Sequence, residues 1–271
     1  MARGYTDLDS LISHSYPYVR DHESITDCIE QLKDYAEDSI PVLDDDNKLL
    51  GVITAQDIVE VVDDEMGDDY AKLAGMTEEA DLEEGLPESI KKRLPWLVVL
   101  LGLSLCVSTV TGLFENVISH LAIIVSFQSL ILGMSGNVGT QSLAVTIRVL
   151  MDEDLSGRQK WGLIFKEARI GFCNGLMLGL LAFAFIGTYV YVLKGRPLQY
   201  AFSVSACAGV ALMLAMTISS VVGTVVPMFF HKVKVDPAVA SGPLISTVND
   251  FVAVVTYYGL AWVLLIHVLH L

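Results

Sequence analysis

The chain has 271 residues, 53% of them hydrophobic, with a positive mean hydropathy and a formal net charge of −15. That combination excludes a single ordinary soluble domain and suits an acidic soluble piece joined to a membrane piece. Residues 1–93 carry 25 acids against 8 bases, residues 94–271 carry 7 acids against 9 bases, and the boundary lies near "ESIKKRLPW" at 88–96. Neither half has the basic surplus that a nucleic acid partner would need.

The opening "MARGYTDLDS" lacks an apolar signal core, so the N-terminal part is expected to stay in the cytosol. "YPYVR" at 16–20 reads as a short strand, and "ESITDCIEQLKDYAE" has helically spaced Ile25, Cys28, Ile29 and Leu32. "SIPVLD" and "LLGVITA" read as strands joined by the polar turn "DDNK", and "QDIVEVV" opens another helix. This order, with "IPVLDDDNKLLGVITAQDI", resembles the CBS domain over about residues 8–62. In that family a G-x-x-T-x-x-D stretch often contacts the ribose of an adenine nucleotide, which implies Thr54 and Asp57 as contacts for ATP or a relative. Asp57 reads equally well as a helix cap. CBS modules usually work in pairs, so a single module implies pairing across a dimer.

Beyond the module comes "VEVVDDEMGDDYAKLAGMTEEADLEEGLPESIKKR", where Glu60, Asp63, Asp64, Asp68 and Asp69 crowd one helix and its neighbours. Like charges at i,i+4 destabilise a helix, and bound cations would relieve them. A solvated acidic face is the plain alternative. Together with Asp57 these acids are the candidate regulatory cation ligands. Cys28, Cys106, Cys173 and Cys207 form no CxxC pair, so neither a disulfide framework nor a zinc site is expected.

Apolar runs able to cross a hydrocarbon core of about 30 Å fall at roughly 95–115, 120–150, 168–193, 200–230 and 239–269. The fold class is therefore a multi-pass α-helical membrane protein with five transmembrane helices behind a small N-terminal α+β domain. The second and fifth runs are interrupted by "GMSGNVGTQS" and "ASGPLISTVND"; irregular backbone at such depth is tolerated only where it is buried in protein or lines a wet cavity, so a pathway is sought there first. With the N-terminus inside, ten basic residues (Lys91, Lys92, Arg93, Arg148, Arg158, Lys160, Lys166, Arg169, Lys232 and Lys234) flank the cytoplasmic side, against Lys194 and Arg196 outside. That predicts a cytoplasmic N-terminus and an external C-terminus.

Five stretches of the membrane half, "RLPWL", "FEN", "GMSGNVGTQS", "GTVVP" and "DPAVASGPLISTVND", together resemble the MgtE magnesium channels and their solute-carrier relatives over about residues 90–271. The resemblance implies a homodimer in the cell membrane, with a pore on the dimer axis lined by the fifth helix. Asp250 would be its intramembrane ligand for hydrated Mg²⁺, and Asp236 the acid at the cytoplasmic mouth. It divides the chain into a CBS-like domain (1–62), an acidic connecting plug region (63–92) and a pore domain (93–271). It also implies channel-like Mg²⁺ uptake shut by cytosolic Mg²⁺ on the acidic residues. Departures are the missing acidic helical domain and first CBS module of many members, Gln128 in a region where the family often has Pro, and Ser135 for Gly.

The residues support this chemistry separately. On one helix Asp236 and Asp250 would lie about 40° apart around the axis and roughly 21 Å apart along it. Mg²⁺ keeps most of its waters and is held by one or two carboxylates. Asn137, Thr140 and Gln141, with Gly242, Ser246, Thr247 and Asn249, are candidate pore-lining positions, although helix–helix hydrogen bonds would use the same polar groups. Gly133, Gly136 and Gly139 suit close helix packing. Glu115 and the His267/His270 pair read as interfacial groups or cation sites. Nothing suggests an enzyme. The rivals are a carrier for Mg²⁺, Mn²⁺ or Co²⁺ coupled to Na⁺ or protons, with Asp250 as a proton relay, and a membrane-anchored nucleotide sensor.

Overall fold

The computed structural model describes residues 17–23, 39–80, 83–152 and 155–269. It divides into two compact units, 1–67 and 68–271.

The first unit contains a three-stranded sheet in the order β1-β2-β3, with β1 at Val19–Arg20, β2 at Ser39–Leu43 and β3 at Leu49–Thr54. β1 runs parallel to β2, and β2 antiparallel to β3 with Ile40 opposite Ile53. Val19 and Ile40 are buried and pack with Val42, Ile53 and Ile58. The expected polar turn between the last two strands closes because Asp44 Oδ1 accepts from the Asp46 and Lys48 N–H groups, while Asn47 takes φ 60°. The helix expected over 24–37 lies outside the described residues. α1 follows at Ala55–Leu73, one unbroken helix through the acidic run.

α1 stops in a Schellman turn: Met76 N–H donates to Ala71 O, and Gly75 N–H to Lys72 O, with Gly75 at φ 83°. A side chain at Gly75 would also strike Trp96, since a Cβ there would sit 2.6 Å from its ring. α2, Leu86–Leu113, is the first of five helices among the described residues that are long and apolar enough to cross a membrane. A short α3, Glu115–His120, and a 3₁₀ turn, Ala122–Ile124, lead into α4 at Val125–Asp152. α5 spans Gly157–Val192 and α6 Leu198–Lys232. A 3₁₀ turn at Pro237–Val239 precedes α7 at Gly242–Leu260, which continues as a π-helical segment over Ala261–Val268.

α6 is the central helix, packed on α5, α4 and α7, with a small-residue face that includes Ala208, Ala211 and Ala215. Lipid tails are as apolar as Leu, so helices associate where small residues let backbones approach. Gly171, Gly175 and Gly179 of α5 do this: added Cβ atoms would come within 2.6–2.9 Å of Ser220, Met213 and Gly209 of α6. Gly139 of α4 plays that part against Gly223 of α6 and Asn249 of α7. Gly136 packs on Ser246, whereas Gly133 meets nothing. α2 has no buried residue and packs chiefly on α7.

Two expectations change here. "GMSGNVGTQS" does not break the second span, because α4 is continuous through it. "ASGPLISTVND" is no mid-span break either. Ser241 is an N-cap accepting from Leu244 N–H, Pro243 occupies the first turn, and the stretch simply starts α7. Asp236 therefore precedes the helix that holds Asp250, and the 40° and 21 Å relation does not apply.

Candidate functional site

Asp250 sits in the third turn of α7, half-buried, at a cavity of about 370 Å³ between α2, α4 and α7. The cavity is lined by Ser104, Val107, Ser108 and Thr111 of α2, Gln128 and Leu132 of α4, and Asp250. Among the described residues Asp250 has neither a hydrogen-bond partner nor an ion pair. A carboxylate left without protein partners retains all its acceptor capacity for water or a cation.

The neighbouring hydroxyls are oriented the same way. Ser108 Oγ donates to Ser104 O at 3.0 Å, and Thr111 Oγ1 donates to Val107 O at 3.0 Å. Each hydroxyl has a single hydrogen, so both oxygens are left as acceptors. Gln128 Oε1 is engaged by the Tyr258 hydroxyl at 2.6 Å, which holds its side chain in place and leaves its NH₂ group to donate. Tyr257, fully buried beside it, donates to Ile124 O at 2.8 Å. Two tyrosines thus fix the start of α4 against α7, as buried phenols with hydroxyl partners do.

Candidates from the sequence fall into distinct places. Asn137 and Gln141 are exposed on α4, and Thr140 donates to Asn137 O. Ser246 and Thr247 are half-buried, with Thr247 donating to Pro243 O, and Gly242 approaches Leu73 O and Thr140. Asn249 faces inward, fully buried against Gly139, with a long 3.5 Å bond to Ser135 O and its Oδ1 unpartnered.

Asp236 is the N-cap of the 3₁₀ turn, accepting from Ala238 N–H, and its other oxygen accepts from Lys72 Nζ at 2.8 Å. Asp69 lies 3.8 Å from the same ammonium. Asp236, by accepting that bond, raises Lys72 above the ordinary lysine range. Trp96 Nε1 donates to Ser241 Oγ at 2.9 Å, and Thr77 N–H donates to Lys92 O. The C-terminal end of α1 is thereby fastened to the starts of α2 and α7.

Glu60, Asp63, Asp64 and Asp68 are exposed along α1, and Asp68 accepts from Glu79 N–H. Among the described residues no three acidic, His or Cys side chains converge on one point. Asp57 accepts from the Thr54 hydroxyl at 2.7 Å and from the Thr54 N–H at 2.8 Å, and these bonds hold its carboxyl below the usual carboxylate range. Both proposed nucleotide contacts are thus engaged with each other. Glu115 is exposed at the start of α3, His267 stacks edge-on to Trp262, and His270 lies outside the described residues.

The sequence reading missed Ser104, Ser108, Thr111, Lys72 and Glu167. The α2 residues had a readable signal, a polar i, i+4, i+7 stripe within an apolar span. Glu167, 4% exposed among α4, α5 and α6, was legible as an acid inside the third long helix.

Residues 128–260 match the MgtE family, described as a divalent cation transporter, and residues 8–64 match the CBS domain. The chain is 37% identical over 235 residues to the magnesium transporter MgtE of Enterococcus faecalis, covering 87% of this chain and 50% of that one. It is 34% identical over 243 residues to MgtE of Bacillus subtilis, covering 90% and 51%, and 30% identical over 264 residues to MgtE of Thermus thermophilus, covering 96% and 56%. The chain spans about half the length of these curated relatives. With an MgtE membrane region behind a CBS domain, it belongs to the MgtE family.

Proposed function

We propose that this chain carries Mg²⁺ across the membrane along a path that passes Asp250. The observation that carries the reading is a half-buried carboxylate, unpartnered among the described residues, on a cavity of about 370 Å³ edged by hydroxyl acceptors. Six waters occupy about 180 Å³ at roughly 30 Å³ each in the liquid, so a hexahydrated ion fits that volume. The waters of a hydrated cation point hydrogens outward, and Asp250, Ser108 and Thr111 offer acceptors to them. Outer-shell contact suits an ion that dehydrates reluctantly, and it binds weakly enough to release.

The pore is assigned to a homodimer, in which two copies of Asp250 face one axis, with the N-terminus cytoplasmic and the C-terminus outside. Relatives named magnesium transporters support Mg²⁺ as the cargo. Conduction is channel-like and is closed when cytosolic Mg²⁺ neutralises Asp63, Asp64, Asp68 and Asp69 near the end of α1. The Lys72–Asp236 pair ties that end to the entry of α7. The CBS unit is the regulatory module, and an adenine nucleotide at Thr54 and Asp57 would have to open their mutual hydrogen bonds.

Flux into liposomes tests the reading. Mg²⁺ uptake that persists without a Na⁺ or pH gradient favours the channel, and uptake that needs either gradient favours the coupled carrier. Uptake of Mn²⁺, Co²⁺ or Ca²⁺ ahead of Mg²⁺ would overturn the cargo assignment.

A further inference from the structure

Among the described residues, the most enclosed acid of the membrane half has no part in that pathway. Glu167 lies in α5 facing Ser142 of α4 and Ser220 of α6, each at most 4% exposed. Three short oxygen–oxygen contacts link them. Ser142 Oγ lies 3.0 Å from Glu167 Oε2 and 2.7 Å from Ser220 Oγ, and Ser220 Oγ lies 2.8 Å from the Glu167 carbonyl oxygen.

Each contact needs one hydrogen between its oxygens. Two serine hydroxyls supply two hydrogens, and a carboxylate supplies none. With Glu167 ionised, one of the three contacts is left as two bare oxygens facing each other inside the bundle. A proton on Glu167 Oε2 completes the set: Glu167 donates to Ser142 Oγ, Ser142 to Ser220 Oγ, and Ser220 to the Glu167 carbonyl. The chain of donors then closes on the residue where it began.

The charge surroundings agree. Among the described residues no Lys, Arg or His forms an ion pair with Glu167. Its charged neighbours on α5, Lys166 and Arg169, are exposed and line a groove on the other side of the helix. α4 and α6 meet it with hydroxyls, and the nearest charged residue of α4 in sequence, Arg148, is exposed. An unpaired charge in such a place is strongly disfavoured. Gly171, one turn on, makes the arrangement possible, because a Cβ there would come 2.6 Å from Ser220 Cβ.

We propose that Glu167, Ser142 and Ser220 form a resident proton site that joins α4, α5 and α6, with Glu167 acting as a neutral hydrogen-bond donor and not as a cation ligand. Infrared spectroscopy of the full chain in lipid at neutral pH tests this. The spectrum of wild type minus Glu167→Gln should contain the carbonyl stretch of a protonated carboxylic acid, moved by exchange into D₂O. Ser142→Ala, which removes the acceptor, should shift that band to higher frequency. Glu167→Gln, whose amide N–H replaces the acid proton, should melt with wild type and keep Mg²⁺ uptake, whereas Glu167→Ala should melt lower. A carboxylate band in its place, or a Gln variant as damaged as the Ala variant, would overturn the proposal.

Discussion

Asp250→Asn removes one charge and keeps the shape of the side chain. A divalent ion held through a water layer lies about 4.5 Å from the carboxylate, and at the dielectric of water that attraction is about 1.8 kcal/mol. By the factor of ten per 1.36 kcal/mol, occupancy falls about 20-fold. Val107 and Leu132 in the cavity wall lower the local dielectric below that of water, so 20-fold is the smallest loss expected. The same substitution should leave the fold intact. Asp250 has no protein partner to lose among the described residues, and a partly desolvated carboxylate becomes a neutral amide. Purified wild type and variant would be placed in liposomes loaded with a Mg²⁺ indicator, with melting followed in parallel. Uptake within twofold of wild type at an unchanged melting temperature would refute the assignment of Asp250 to the path.

Other substitutions probe the rest. Ser108→Ala and Thr111→Val each remove one water-binding acceptor and should lower uptake a few-fold, with melting unchanged. Gly139→Ala forces Asn249 out of its place, and overpacking of this kind costs about 1–3 kcal/mol, seen as a lower melting temperature in detergent. Lys72→Met should free the last turn of α1, read as faster amide hydrogen exchange over residues 70–76. Because Asp236 raises Lys72, the pair contributes fully below the ordinary lysine value of about 10.4 and is lost as pH rises through the raised one, so wild-type exchange should approach that of Lys72→Met only in strong alkali. Neutralising Asp63, Asp64, Asp68 and Asp69 together should leave flux less sensitive to internal Mg²⁺, and unchanged inhibition would remove the acidic stretch from the gate.

The elements were legible where local chemistry and hydrophobic period agree. β2, β3 and their turn follow from alternation around "DDNK", and the five long helices follow from apolar length alone. The misreadings share one cause. Small and polar residues inside apolar runs suggest broken backbone, whereas in lipid Gly and Ser are the packing residues of intact helices. "GMSGNVGTQS" puts Gly136 and Gly139 under Ser246 and Asn249, and "SGP" is an N-cap followed by first-turn residues. Asp250 stood out because an acid in an oily helix is expensive wherever the chain goes. Its companions did not, since Ser104, Ser108 and Thr111 become neighbours of Gln128 only once α2 lies on α7 and α7 on α4. The Lys72–Asp236 contact spans 164 positions, and no local pattern encodes such a pair.

The two intramembrane acids meet the same penalty in opposite ways, and the difference decides their roles. A carboxylate at this depth survives by facing water, binding a cation or taking a proton. Glu167 is sealed among three helices, and its hydroxyl partners lack one hydrogen that a proton supplies. Asp250 borders an open volume, and the Ser108 and Thr111 hydroxyls beside it have already spent their hydrogens on backbone carbonyls. No contact at Asp250 calls for an added hydrogen, whereas a hydrated cation brings donors to every free oxygen there. Exchanging the two environments would therefore exchange the roles: opening water to Glu167 should release its proton, and a hydroxyl chain built around Asp250 should shut the path to metal ions.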